Sequence, residues 1–296
     1  MSGPRVMKLT AKVGERLRDR LRALDYEFKE VAHARWSARG EGAVVTFYES
    51  GKLVVAGKGA DAFMEGRIGW EEDEKPAAPK TSAVTSRVIG SDEAGKGDYF
   101  GPLVTAAVLV GPDEAKALTA AGVRDSKDLT DARAHALAGV IKKSAPHAVV
   151  AINPPRYNEL RESNPNLNRL LAWSHAKAVS EVLAKADADE ALADQFGAAS
   201  LLEKAYARAG ISIPLRQRHR AESHPAVAAA SILARAEFLR RLERLSDEVG
   251  HVLPKGAGSP VDRAARKLVD AEGREVLGRV AKLHFKTTEK VLGSLF

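Results

Sequence analysis

Two adjacent acids, Asp92 and Glu93, are followed at once by Gly95-Lys96-Gly97, and this is the stretch whose residue types are best suited to chemistry. In full it reads Gly90-Ser91-Asp92-Glu93-Ala94-Gly95-Lys96-Gly97-Asp98-Tyr99-Phe100-Gly101-Pro102. An acidic pair ends a short strand, Val88 to Asp92, and a glycine-rich turn with one lysine comes next. Neighbouring side chains on a strand face opposite ways. The two acids are therefore expected to share a site only if the strand stops there, and Gly95 and Gly97 permit the bend. A polar turn after a buried strand is the alternative. Neither Gly-Lys-Ser/Thr nor GxGxxG occurs in it, so the loop is not a phosphate or dinucleotide loop of those types. Two more acids have suggestive settings. Asp194 follows the short apolar run Ala191-Leu192-Ala193 and precedes a helix, where it could equally be an N-cap. Glu222 precedes Pro225 at the start of a helix, whose positive end favours an ionised carboxylate, or it is a surface glutamate.

Other chemistries are excluded or poorly supported. The absence of cysteine removes disulfides, cysteine-ligated zinc, iron–sulfur clusters and thiol nucleophiles, so a metal would need carboxylate, histidine or carbonyl ligands. No HExxH and no nucleophile elbow is present. His219 and His224 flank Glu222 and could reach its site, whereas His284 reads as structural. A net charge of +7 favours an anionic partner, with nucleic acid the first candidate.

The elements that must position these residues form two regions. From Met7 to Trp70, Leu9, Val13, Leu17, Leu21 and Leu24 mark an amphipathic helix with interleaved arginines. Strands follow at Phe28 to Trp36, Ala43 to Tyr48 and Leu53 to Ala56, with turns at Arg39 to Gly42 and Ser50 to Lys52, and then a short helix from Ala60 to Ile68. Residues 71–87 are charged and then small and polar, with two prolines, and read as a linker. Residues 88–296 carry strands at Val88 to Asp92, Leu103 to Val110, Ala148 to Asn153, Ala191 to Asp194 and Ile211 to Leu215. Helical patterns cover Thr130 to Ser144, Leu167 to Lys185, Ala198 to Ala209, Ala226 to Gly250 and Val261 to Ala271. The fold class expected is α/β, a mixed sheet flanked by helices. Leu103 to Val110 is apolar on both faces and should be central. The longest apolar run is too short for a bilayer span, no signal core is visible, and the expectation is a cytoplasmic monomer.

The segment Gly90 to Pro102 resembles the signature of type 2 ribonucleases H, most closely that of ribonuclease HIII. Asp125-Ser126-Lys127-Asp128-Leu129, Asn166-Leu167-Asn168, Asp194-Gln195-Phe196, Ala228-Ala229-Ala230-Ser231-Ile232, Leu253-Pro254-Lys255-Gly256-Ala257 and His284-Phe285-Lys286-Thr287-Thr288-Glu289-Lys290 agree in order and spacing. Lys96 stands where ribonuclease HII carries arginine. The first 70 residues, with Ser50-Gly51-Lys52-Leu53, are similar to the TATA-binding-protein-like substrate domain that sets HIII apart. The resemblance implies a ribonuclease H-like catalytic domain over 88–296, with catalytic and metal-holding acids at Asp92, Glu93, Asp194 and Glu222. Glu222, in Arg220-Ala221-Glu222, replaces the usual aspartate and reaches one methylene further.

A like-charged pair about 4 Å apart costs about 4 kcal/mol at an effective dielectric of about 20, so four converging carboxylates call for cations. Oxygen donors select Mg²⁺ or Mn²⁺, and two such ions about 3.5–4 Å apart can align an attacking water and a departing 3′ oxygen. Asp92 is expected to bridge the two ions. The resemblance further implies that Gly95, Lys96 and Gly97 read ribose 2′-hydroxyls, that Ser126 and Lys127 bind a phosphate, and that Lys52 and the basic helix hold an RNA–DNA hybrid duplex. The implied reaction cuts the RNA strand, leaving 5′-phosphate and 3′-hydroxyl ends. The alternatives are HII-like cleavage at single ribonucleotides and non-catalytic hybrid binding.

Overall fold

The computed structural model describes residues 4–65, 84–123, 129–218 and 221–293. The chain divides into two compact units, Met1–Lys80 and Thr81–Phe296. Of the expected linker, only residues 84–87 are among those described.

The smaller unit runs β1 (Arg5–Lys8), α1 (Ala11–Ala23), β2 (Glu27–Lys29), β3 (Ala34–Gly40), β4 (Ala43–Tyr48), β5 (Lys52–Ala56) and α2 (Ala60–Glu65). Its sheet is antiparallel throughout, in the order β1-β5-β4-β3-β2. Leu17 and Leu21 of α1 are buried with Trp36, Phe47, Leu53 and Val55 of the sheet, which accounts for the leucine spacing. Three local readings change. The single strand expected from Phe28 to Trp36 is two strands, because His33 takes a left-handed conformation (φ +62°) that breaks the extended run. The turn expected over Arg39 to Gly42 is only Glu41-Gly42, both at positive φ, between the paired residues Gly40 and Ala43. Strand β1 was not foreseen, since four residues with a charge at each end carry little apolar signal.

The larger unit contains β6 (Val88–Ala94), β7 (Leu103–Val110), α3 (Pro112–Ala120), α4 (Asp131–Ser144), β8 (His147–Ile152), α5 (Pro154–Ser163), α6 (Leu167–Leu183), β9 (Glu190–Asp194), α7 (Ala199–Arg208) and β10 (Leu215–Arg218). A 3-10 turn at Ala221–Ser223 leads into α8 (Pro225–Val249), and α9 (Ser259–Glu272), α10 (Val276–Val280) and α11 (Lys286–Leu292) finish the unit. The sheet is mixed, as expected, in the order β10-β9-β6-β7-β8. Strands β6, β7 and β8 pair antiparallel, whereas β9 runs parallel to both β6 and β10. Every residue of β7 is buried, as its two-faced apolar run requires. Helices α3 and α5 escaped the periodicity reading, yet each begins on a proline, a residue well suited to the first helical turn. The strand expected at Ile211 to Leu215 begins only at Leu215; Ile211 and Ile213 are instead spent against the apolar layer of α6 and α7.

Alternation along β6 divides its side chains between two helices. Ile89 joins the layer with α6 and α7, while Val88 joins the layer with α8. Gly90 is what lets α8 come so near. A Cβ there would lie 2.2 Å from the carbonyl carbon of Ala226 and 2.3 Å from the amide nitrogen of Val227. The small residues Ala226, Ala228, Ala229 and Ala230 make the same approach possible from the helix side.

Further along α8, Glu237 accepts hydrogen bonds from Arg240 (2.7 and 2.9 Å) and Arg241 (2.6 Å). Arg241 also donates to Asn153, the residue before α5, at 3.0 Å. The bond from Arg240, with help from Arg241, holds the Glu237 carboxyl down at about 2.

Two predictions follow from this packing. Gly90→Ala should cost about 1–3 kcal/mol by overpacking against helix backbone, read as a lowered thermal midpoint; an unchanged midpoint would contradict the contact. Because Glu237 has a folded pKa below its unfolded value of about 4.3, its stabilisation is complete above that value and disappears as pH falls towards about 2. The difference in urea midpoint between the wild type and Glu237→Gln should therefore be largest at neutral pH and shrink by pH ~3. A difference that is the same at both pH values would refute the ion-pair account.

Candidate active site

The last residues paired between the parallel strands β6 and β9 are Ser91 and Ala193. The next residue on each strand is an acid, Asp92 on β6 and Asp194 on β9. On its other side β6 stays paired with β7 as far as Ala94. The expectation that β6 ends at Asp92 is thus corrected: the strand continues, and Asp92 and Glu93 face opposite sides as strand geometry demands. They still meet one cavity, because β9 stops first and leaves the flank of Asp92, Glu93 and Ala94 uncovered.

That cavity has a volume of about 500 Å³ and is lined by Asp92, Glu93, Asp194, Glu222, Ser231, Lys96 and the glycine loop, among others. Glu222 arrives on the 3-10 turn, directly ahead of α8. His224 fixes the helix start, its Nδ1 accepting from the Ala226 amide at 3.2 Å. His219 lies outside the described residues. Among the described residues, five carboxylates line the cavity (Asp92, Glu93, Asp98, Asp194, Glu222) against three cations (Lys96, Arg235, Lys255), a formal excess of two negative charges within that set. Arg235 and Lys255 both pair with Asp131, at 2.7 and 2.5 Å.

The two central acids are held differently. Burial, and then the neighbouring Glu93 charge, push Asp92 up to about 6, against a hydrogen bond from Ser231 of α8. Burial acts on Glu93 in the same sense, but His175 and Lys96 outweigh it and hold Glu93 below its ordinary value. His175, only 1% exposed on α6, donates from Nε2 to Glu93 at 3.1 Å, and its Nδ1 meets the Ser91 hydroxyl at 2.8 Å. Its ring stacks on Phe196 at 5.0 Å, and Lys96 lies 3.4 Å from Glu93 and 5.9 Å from the centre of the same Phe196 ring. Sequence reasoning passed over His175. The available signal was the polar pair Ser174-His175 inside the apolar stripe of α6, and both are buried. Ser174 bonds Thr105 of β7 at 2.8 Å.

The glycine loop follows. Gly95 has φ +84°, and a Cβ there would lie 2.2 Å from the Pro102 carbonyl oxygen, so this position requires glycine. A Cβ on the exposed Gly97 would meet nothing within 4 Å. The loop's far end is tied down by the fully buried Lys282, which donates to the Gly101 carbonyl at 2.6 Å. Burial lowers the pKa of this amine to about 7.

The structure therefore brings together Asp92, Glu93, Gly95, Lys96, Gly97, Asp194 and Glu222. Lys52 belongs to the other unit, exposed at the start of β5 opposite Lys8. Ser126 and Lys127 lie outside the described residues. Among the described residues, no three His, Asp or Glu side chains converge tightly enough to clasp a metal ion as they stand. The donor set is nonetheless of the hard-oxygen kind that suits Mg²⁺ or Mn²⁺, and the negative excess with a strained Asp92–Glu93 pair is an environment that added positive charge relieves.

A model of the family described as Ribonuclease HII matches residues 89–288, which spans both sides of this cavity and places the fold among the type 2 ribonucleases H, a class of hydrolases. Ribonuclease HIII of Protochlamydia amoebophila (strain UWE25) is 39% identical over 99% of this chain and 98% of its own length, and that of Chlamydia pneumoniae is 37% identical over 98% and 99%. The crystal structure of Bst-RNase HIII in complex with Mn²⁺ superposes with a TM-score of 0.68 at 34% identity, covering 98% of each chain. With likeness of this degree along both units, the chain belongs to the ribonuclease HIII family. Among the described residues, no helix is long and apolar enough to cross a membrane.

The two glycines make opposite demands on stability. Gly95→Ala should lower the thermal midpoint through backbone strain and the Pro102 contact, whereas Gly97→Ala should leave it within a degree or so of wild type. A large destabilisation by Gly97→Ala would contradict the open space around that residue.

Proposed function

We propose that this enzyme cuts the RNA strand of RNA–DNA hybrids at the cavity lined by Asp92, Glu93, Asp194 and Glu222, leaving 5′-phosphate and 3′-hydroxyl ends. The observation that carries the reading is the register of β6 and β9, which ends one step short of Asp92 and Asp194 and so sets two acids from distant parts of the chain side by side. The four acids are the residues that would hold two divalent ions, Mg²⁺ or Mn²⁺, and a relative's crystal structure with Mn²⁺ supports this choice of metal. When bound, such ions supply positive charge against the charge that grows on the phosphodiester and make water a stronger nucleophile at neutral pH.

The chain's own groups do the positioning. Ser231 orients Asp92 by its hydrogen bond, and His175 with Lys96 keeps Glu93 ionised and aimed. Backbone groups at Gly97 are open to close approach by a ribose, which is what recognition of a 2′-hydroxyl requires. Lys96 places a cation where a phosphate would pass. Lys52 and the basic face of α1 would hold the duplex by charge, making residues 1–70 a substrate-binding domain and 88–296 the catalytic one. Lys127 and Ser126 would add a phosphate contact.

The reading is tested by Asp92→Asn, which should abolish cleavage of a labelled hybrid in Mg²⁺ or Mn²⁺ while hybrid binding persists. His175→Ala should slow cleavage roughly 10–100-fold, the usual effect of removing a group that orients a metal-holding carboxylate. Cleavage by Asp92→Asn at a rate near wild type would sink the assignment.

A further inference from the structure

A second groove lies on the opposite face of the sheet from α8, between α6 and α7. Its volume is about 630 Å³. Among the described residues, twelve line it; four are basic (Arg169, Lys177, Lys204, Arg208) and none is acidic. Lys177 pairs with Glu181 at 3.2 Å, but no carboxylate among the described residues pairs with Arg169, Lys204 or Arg208. Among these cations stands Trp173, 49% exposed on a helix whose other apolar side chains are buried or half-buried. The excess of positive charge favours an anionic occupant, and the half-exposed indole offers it a flat apolar face.

We propose that this groove binds single-stranded nucleic acid, such as the unpaired continuation of a strand leaving the hybrid. A flat aromatic flanked by lysine and arginine is the combination that holds single strands, with a base on the ring and phosphates on the cations. The dimensions agree. Arg169 and Lys177 are eight residues apart on α6, about 12 Å, which accommodates three or four phosphates of a stacked strand at ~3.4 Å each. Stacking on an indole is tolerant of base type, because every base has a π-face. Helix α6 thereby serves two ligands: His175 points inward to Glu93, and Arg169, Trp173 and Lys177 point outward. The proposal stands apart from the hydrolysis reading, since it needs neither the acids nor a metal.

The test is fluorescence anisotropy of the full chain in chelator with labelled oligothymidylate and oligouridylate, which also tells a DNA tail from an RNA tail. Lys204→Ala/Arg208→Ala should weaken binding roughly tenfold and flatten the slope of log affinity against log salt by about 1.4, two phosphate contacts' worth. Trp173→Ala should weaken it roughly fivefold or more, with Trp173→Phe recovering part of the loss, as stacking requires. Both variants should cut blunt hybrid at the wild-type rate. Wild-type affinity and salt slope in both would overturn the proposal. So would displacement of the oligonucleotide by polyglutamate as readily as by unlabelled strand, which would make the groove a surface for an acidic protein, or a loss of blunt-hybrid cleavage, which would make it part of the hybrid's own path.

Discussion

The larger unit depends on how far the interior strands of its sheet run at one end. Strand β6 is paired with β7 through Ala94 but with β9 only through Ser91. Had β9 been longer, its backbone would cover the flank of Asp92 and Glu93. Had β6 been shorter, Glu93 would lose the rigid strand that aims it at His175. The mismatch of about three residues creates a notch, and acids from both strands border it. Gly90 sets the other wall, because only a missing side chain lets the start of α8 lie against β6 and bring Glu222 and Ser231 to the same cavity.

Placing like charges in a half-buried notch carries an electrostatic cost, and the fold meets it unequally. Asp92 has the Ser231 hydroxyl, the Glu93 backbone amide and the more distant His175 to offset burial and the Glu93 charge, and these do not suffice: it is left with a raised pKa. Glu93 has an imidazole and an ammonium, both steered by the single ring of Phe196. The loop beyond is held from behind rather than from the cavity. Lys282 sits among the carbonyls of Phe100, Gly101 and Pro102, so the polypeptide leaving the glycines is fixed without any side chain intruding where Gly97 faces solvent. Rigidity is thus supplied from the core and openness is kept on the ligand side.

The sequence made the acids legible through type and setting: a pair before glycines, one after a short apolar run, one before a proline-started helix. It could not show that β6 outlasts β9, because strand overlap depends on which partner is longer and that is a tertiary property. His175 was hidden for a related reason. On a helix with Leu171, Ala172, Ala176 and Val179 buried around it, a histidine reads as one more core position, and only the location of Glu93 across the gap gives it a task. The shift of β10 has a different cause. Reading apolar content favoured Ile211 and Ile213, but an edge strand needs just one covered face, and the half-buried alternation of Leu215-Arg216-Gln217-Arg218 meets that need.

Helix α6 shows how one element can be constrained on two sides. Its inward stripe must fit the sheet and also carry a polar pair, Ser174 and His175, to defined partners on β6 and β7. Substitutions there act on packing and on Glu93 together. Its outward stripe faces no such packing demand at Trp173, where half the indole is exposed. A single exposed tryptophan is ordinary on a protein surface; what sets Trp173 apart is its place in a groove whose described lining carries Arg169, Lys177, Lys204 and Arg208 and no acid. On the proposed reading, the outward stripe of α6 would offer a single strand a flat ring for a base beside cations for its phosphates, while the inward stripe serves the sheet and Glu93.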